Sequence, residues 1–231
     1  MKLCVIPARG GSKRIPRKNI REFFGKPMIA WSIDASRESG CFDQIIVSTD
    51  CLEIADIAVE LGANVPFIRP PELASDFADT ISVLSHAIQW YRDQGQELSA
   101  VCCLYATAPF VQSSDIKKGM DLLEKTDTDR FVFTATSYSG SIHRALRIDP
   151  VSGKAYMWQP EQFSKRTQDL ETMYHDAGQF YWGRPESWLN ADNLFEASEP
   201  LLLPKWRVQD IDTPDDWIMA ELLYEACSKI H

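Results

Sequence analysis

A chain of 231 residues is ample for one packed core, and 45% hydrophobic with 25% charged residues is the composition of an ordinary globular domain. No apolar run approaches the roughly 20 residues a membrane helix needs, and "MKLCVIPARGG" meets charge too early for a secretory leader, so the expectation is a cytoplasmic protein without a membrane partner. The net charge of −9 is uneven, because Arg9, Lys13, Arg14, Arg17, Lys18, Arg21 and Lys26 crowd one stretch that holds a single acid, Glu22; a basic loop on an acidic body argues for a small anionic ligand and against nucleic acid.

In chain order, "KLCVIPA" reads as a strand that ends in the basic Arg/Gly-rich loop. "PMIAWSIDASRESG" reads as a helix that Pro27 starts and Gly40 stops. "QIIVSTD" is a second strand, which leaves Ser48, Thr49 and Asp50 at its carboxyl end, Asp50 being placed as a turn residue and N-cap. "LEIADIAVELG" is a helix with Ile54, Ile57, Ala58 and Leu61 on one face. "VPFI" reads as a short third strand and "TISVLSHAIQWYRDQG" as a longer helix, in which His86 is structural. "AVCCLYATAP", "DIKKGMDLLEK" and "RFVFTAT" then read as strand, helix and strand.

This alternation predicts an α/β fold, a mainly parallel sheet covered by helices on both faces. The pattern breaks from about Ser137 to Asp176, where the chain is polar and aromatic without a period. "AGQFYWG" and "LLLPKWRVQDI" look like further strands, and "PDDWIMAELLYEACSKI" closes as a helix. The economical reading is one domain, 1–231, with residues 138–176 as an excursion or interface arm. None of the six cysteines shows metal-ligand spacing, which predicts reduced, mostly buried thiols.

Ligands in open α/β sheets bind at the carboxyl ends of strands, where the basic loop lies. Gly10 and Gly11 allow close backbone approach, and successive N–H groups in such a turn can cradle phosphate oxygens, with Arg9 and Lys13 adding charge. The loop matches neither the P-loop nor the dinucleotide fingerprint. In "RVQDIDTPDDW", Asp210 and Asp212 are two apart and on a strand would share a face; paired carboxylates facing phosphates suit Mg2+. Asp212 or Thr213 also reads as an N-cap, with Pro214 at the first helical position. "SKRTQDLETMYHDAGQFYW" mixes charge and rings in a way that suits a polyhydroxylated acid or a subunit interface.

The stretches "IPARGGSKRIPRKNI", "FGKPMIAWSI", "FDQIIVSTD", "ELASDFADT" and "VQDIDTPDDW" resemble the cytidylyltransferases that activate nonulosonic, sialic-type acids. The resemblance runs from residue 3 to about 220. "QPEQFSKRTQDLETMYHDAGQFYWG" is similar to the branch that activates pseudaminic acid; N-acetylneuraminate enzymes usually carry an "NGAIY"-like segment there.

The resemblance implies a Rossmann-like nucleotidyltransferase fold with a dimerisation arm, hence a homodimer. It implies attack of a sugar acid's anomeric hydroxyl on the α-phosphorus of CTP, with Mg2+ required. Ala8, Arg9, Gly10, Gly11, Ser12, Lys13, Asn19 and Thr80 would bind the nucleotide, Thr80 near the cytosine. Arg9, Lys13, Asp210 and Asp212 would carry catalysis, the two aspartates as metal ligands. Tyr105, Arg166, Tyr174, His175, Asp176 and Gln179 would meet the sugar. Tyr105 stands where sialate enzymes have glutamine, and Ala106 where relatives have proline. The alternatives are the same reaction on N-acetylneuraminic, legionaminic or 3-deoxy-manno-octulosonic acid, or a non-catalytic CTP-binding protein.

Overall fold

A computed structural model describes residues 1–75, 78–126 and 130–229. Asp76 and Phe77 of the "ELASDFADT" motif, and Ile230 at the end of the last expected helix, lie outside the described residues. The first half runs β1 (Lys2–Pro7), β2 (Glu22–Phe23), β3 (Lys26–Pro27), α1 (Met28–Ser39), β4 (Gln44–Ser48), α2 (Leu52–Glu60), α3 (Thr80–Asp93) and β5 (Ala100–Leu104). The second runs α4 (Ser113–Lys125), β6 (Val132–Ser137), β7 (Leu146–Ile148), β8 (Ala155–Met157), β9 (Tyr174–Gly183), α5 (Pro185–Asn190), β10 (Glu199–Leu202) and α6 (Pro214–Cys227).

Six strands form the central sheet in the order β10-β6-β9-β5-β1-β4. β1 pairs in parallel with both β4 and β5, and β10 in parallel with β6. β9 lies between β5 and β6 and is antiparallel to both. β1 shows why the sheet is central: Leu3 and Val5 point to one face, Cys4 and Ile6 to the other, and all four are fully buried. Cys4 and Ile6 join Ile29, Ile33, Ile54 and Ile116, so α1, α2 and α4 cover that face. Leu3 and Val5 join Leu84, Ile88 and Trp188, so α3 and α5 cover the other. The expected mainly parallel, doubly covered sheet is the one observed.

A third, smaller core sits at one end of the molecule. It gathers Ile15, Phe23, Met28, Phe110, Ile211, Trp217 and Ala220 beneath α6. Ile15 belongs to the basic loop and Ile211 separates Asp210 from Asp212, so one apolar cluster anchors both stretches.

Local signals held at the helix ends. α1 starts after Pro27 and stops at Gly40, whose φ of 64° is the left-handed geometry glycine tolerates. Thr213 caps α6 in a reciprocal box with Asp216, with Pro214 in the first turn.

Four expectations need correction. "VPFI" is not a paired strand: its Ile68 makes one isolated bridge to Thr49, and Asn64 just before it another to Ile46, since Pro66 and Pro70 remove donors from a ladder. "LLLPKWRVQDI" is not one strand: pairing stops at Leu202, Pro204 follows, and Lys205–Arg207 form a 3-10 turn. Residues 208–212 therefore carry the aspartates outside the sheet. Tyr174, His175 and Asp176 belong to β9, so the excursion is shorter than 138–176 and contains the β7–β8 hairpin. Asp50 is not the cap of α2; Cys51 occupies that position.

Candidate functional site

The chain leaves β1 for β4 on one side and returns to β5 on the other, so strand order reverses between β1 and β5. A crevice opens there, where open α/β sheets bind ligands. It is a cleft of about 560 Å³ lined by Pro7 at the end of β1 and Arg9 beyond it, Tyr105, Ala106 and Thr107 after β5, and Asp79 and Thr80 at the start of α3. Ser12, Lys13, Arg14, Lys18, Asn19, Arg69 and Asp212 complete the rim. Five cationic side chains against two carboxylates make it a receptor for a polyanion.

The basic loop is built from inside. Asn19 is 8% exposed, and its Nδ2 donates to the Arg9 carbonyl at 2.9 Å. Ile15 pins the loop's midpoint in the third core. Arg9, Lys13, Arg14 and Lys18 line the cleft, whereas Arg17 takes a left-handed φ of 57° and reaches Glu53 of α2. Ala8 is buried and continues β1, its N–H donating to the Ser48 carbonyl at 2.9 Å.

The glycine pair works differently from the expected cradle. The Gly10 N–H is committed to Asp50 Oδ1 at 2.9 Å. A Cβ on Gly10 would meet the Cys51 Cβ at 2.8 Å, so Gly10 is needed for close packing. Nothing lies within 4 Å of a Cβ built on Gly11. Asp50, expected as a helix cap, is instead the anchor of the loop.

The acidic segment meets the loop across 194 residues of sequence. Asp212 Oδ2 lies 2.9 Å from Arg14 Nη2, and its Oδ1 lies 3.2 Å from Lys18 Nζ. Lys18 also donates to the Ile211 carbonyl at 2.6 Å. Asp210 does not line the cleft with Asp212, yet the two sense each other. Burial first, and then the Asp212 charge, push the Asp210 carboxyl above its ordinary range, with Lys18 opposing. A carboxylate held back by its neighbour is a donor that a cation would relieve. Among the described residues there is no cluster of three metal-ligating side chains. Two carboxylates suit a hard ion that keeps waters and takes substrate phosphates as its other ligands.

The residues expected at the sugar separate. Tyr105 lines the cleft, and its hydroxyl lies 3.0 Å from Thr80 Oγ1. Burial pushes its phenol up to about 12. Asp176 lies behind it, bonded to the Tyr181 hydroxyl. Gln179 is buried, its amide donating to the Arg207 carbonyl at 2.7 Å, which fixes the start of the acidic segment. Tyr174 and His175 line a separate, mainly apolar cavity of about 540 Å³ with Phe133, Tyr138, Phe195 and Leu202. Arg166 is exposed and pairs with Asp169. Within one copy of the chain, Arg166, Tyr174 and His175 are not brought to the cleft.

Sequence reasoning missed Arg69. It is 4% exposed, donates to the Ser48 and Leu73 carbonyls, and lines the cleft beside Arg9. Its signal was available: it ends the weak "VPFI" segment, where a strand's carboxyl end would lie. Cys4, Cys102 and Cys103 are buried free thiols, pushed up by desolvation and so poor nucleophiles, as expected.

Residues 3–181 match the model of a family described as cytidylyltransferase. Over 224 residues, 96% of each chain, the sequence is 42% identical to a pseudaminic acid cytidylyltransferase of Campylobacter jejuni subsp. jejuni serotype O:23/36 (strain 81-176). It is 34% identical over 231 residues, again 96% of each, to a CMP-N,N'-diacetyllegionaminic acid synthase of Legionella pneumophila. In fold it is similar to a CMP:2-keto-3-deoxy-manno-octonic acid synthetase complexed with CTP, with a TM-score of 0.71 at 16% identity, covering 97% of this chain and 98% of that one.

Proposed function

The chain belongs to the cytidylyltransferase family, and from that premise we propose that it transfers CMP from CTP to the anomeric hydroxyl of pseudaminic acid, releasing pyrophosphate. The observation that carries the reading is the meeting of a cationic loop and Asp212 in one cleft at the strand-order reversal. The choice of sugar is supported by the 42% identity to the Campylobacter enzyme across nearly the whole length of both chains.

In the reaction the sugar oxygen attacks the α-phosphorus, forming a new P–O bond. The bond from the α-phosphorus to the bridging oxygen breaks, pyrophosphate leaves with the electron pair, and the hydroxyl proton passes to water. Arg9, Lys13 and Arg14 hold the triphosphate and neutralise charge as it grows on the leaving group. Asn19 keeps Arg9 in place through its backbone. Asp210 and Asp212 would hold Mg2+, which when bound supplies Lewis-acid neutralisation of the phosphate oxygens. Thr80 and Tyr105 form the wall of the cleft against which substrate rests.

A homodimer belongs to the same reading. Arg166, Tyr174 and His175 lie away from their own cleft, and the arm that carries Arg166 exposes Leu146, Ile148, Trp158 and Phe163. Pairing of two copies through this arm would bury that apolar surface and bring the arm to a partner's cleft.

Pyrophosphate release from CTP with Mg2+ tests the reading, with pseudaminic, N,N'-diacetyllegionaminic and N-acetylneuraminic acids in parallel. Fastest turnover with pseudaminic acid is expected. Release with another acid alone would keep the reaction and replace the sugar, and no release with any would defeat the transfer.

A further inference from the structure

Of residues 208–212 only Asp212 lines the cleft, and both of its carboxylate oxygens face cations of the same chain. Oδ2 lies 2.9 Å from Arg14 Nη2, and Oδ1 lies 3.2 Å from Lys18 Nζ. These three side chains are not held alike. The Asp212 N–H donates to Asp216 Oδ2 at 3.2 Å, so the capping box of α6 fixes the backbone that presents the carboxylate. The Lys18 side chain is 19% exposed, and its ammonium also donates to the carbonyl of Ile211, a fully buried residue of the third core. The Arg14 side chain is 64% exposed and meets Asp212 at the rim. An exposed guanidinium beside a fixed carboxylate is the member of the trio that changes partner most easily.

The pair joins two opposite charges that a nucleotide and its cation would each claim. Arg14 would be drawn to a triphosphate, and Asp212 to a divalent cation. To take a free cation, Asp212 must first give up Arg14. To take a metal-free triphosphate, Arg14 must leave Asp212 and expose the anionic phosphates to a bare carboxylate. A cation carried on the triphosphate avoids both costs. The pairs Arg14–Asp212 and phosphate–cation then become Arg14–phosphate and Asp212–cation, and no charge is left alone.

We propose that the Arg14–Asp212 pair is an exchange latch, by which the cleft selects the cation–triphosphate complex over either component alone. The proposal rests on the CMP-transfer reading for the triphosphate and on Asp212 as a metal ligand. Lys18 stays with Asp212 and Ile211 and keeps the carboxylate in place while Arg14 moves. By linkage, opening the pair for one component favours the other by the same factor.

Two binding measurements test the latch, and neither needs turnover. Calorimetry with CTP in EDTA compares the wild type, Asp212→Asn, Arg14→Gln and the double variant. Released from its anion, Arg14 is available to the phosphates. Asp212→Asn is therefore expected to bind metal-free CTP about threefold tighter than wild type, the scale of a partly exposed ion pair. In the Arg14→Gln background the same substitution should gain little, whereas the simple loss of a negative charge would give equal gains in both backgrounds. Binding of Mn2+ to the nucleotide-free protein, followed by electron paramagnetic resonance, is expected to tighten about threefold in Arg14→Gln. It should hold in Arg17→Gln, which removes the same charge from the same loop but from a contact with Glu53.

No gain for Asp212→Asn in metal-free CTP, a gain that ignores Arg14, or equal Mn2+ affinity in wild type and Arg14→Gln would each overturn the latch. CTP that binds without these differences leaves the transfer reading standing. Mn2+ affinity as strong in Asp212→Asn as in wild type defeats the metal reading, and no CTP binding at all defeats the transfer reading; the latch falls with either.

Discussion

At Gly10 a missing side chain decides the shape of the basic loop. Gly10→Ala would drive a methyl into Cys51, and the expected loss is about 1–3 kcal/mol of stability with weaker CTP binding. The blocking atom is the Cys51 Cβ, so Cys51→Gly should restore part of the loss; purely additive effects in denaturant titration would show that the contact is not the cause. Asp210→Asn and Asp212→Asn should each lower turnover at saturating Mg2+ by about 100-fold or more while circular dichroism stays that of the wild type. Wild-type metal dependence in both would remove them as ligands. These residues were legible because charge and glycine stand out in a linear text. Arg69 and Tyr181 were not, because one hides in a broken strand and the other reads as an ordinary core aromatic until packing sets its hydroxyl against Asp176.

Among the elements, α3 begins at the cleft and depends on its cap. Asp79 accepts from the Ser82 N–H at 2.7 Å, and bonds to the Ser82 hydroxyl and N–H hold its carboxyl below the ordinary range. A lowered folded value favours the charged form in the native state. Its contribution is therefore present above the unfolded carboxylate range and lost as pH falls through the folded value. Asp79→Ala should cost about 1 kcal/mol at neutral pH, and the difference from wild type should shrink below about pH 4 in thermal melts. The third core is the other vulnerable element. Trp217 is 2% exposed within it, and Trp217→Ala should cost about 3–5 kcal/mol and weaken CTP binding, because Ile15 and Ile211 share its cluster. Stability lost without any change in CTP affinity would uncouple this core from the site. Strand and helix order was legible because buried parallel strands are apolar runs bounded by turns. The direction of β9 was not, since an apolar strand reads the same whichever way it pairs. The segment 208–212 alternates like a strand, and only Pro204 hints that it lacks a neighbour.

For the molecule as a whole, the exposed arm carries the expectation of pairing. Ile148→Glu with Leu146→Glu should shift sedimentation from dimer to monomer and leave each monomer folded, and a wild-type chain that sediments as a monomer at micromolar concentration would discard the homodimer. Among the described residues no helix is long and apolar enough to cross a membrane. The third core also bears on the timing of activity. Its two site segments come from opposite ends of the chain, Ile15 early and Ile211 late, with Trp217 and Ala220 supplied by α6. On the ribosome, a chain that has emerged through β10 already holds every strand of the six-stranded sheet. It lacks Asp210, Asp212 and the helix that seats them. If Asp210 and Asp212 hold the metal as proposed, a chain translated only that far is expected to lack CMP transfer until the segment through α6 has followed.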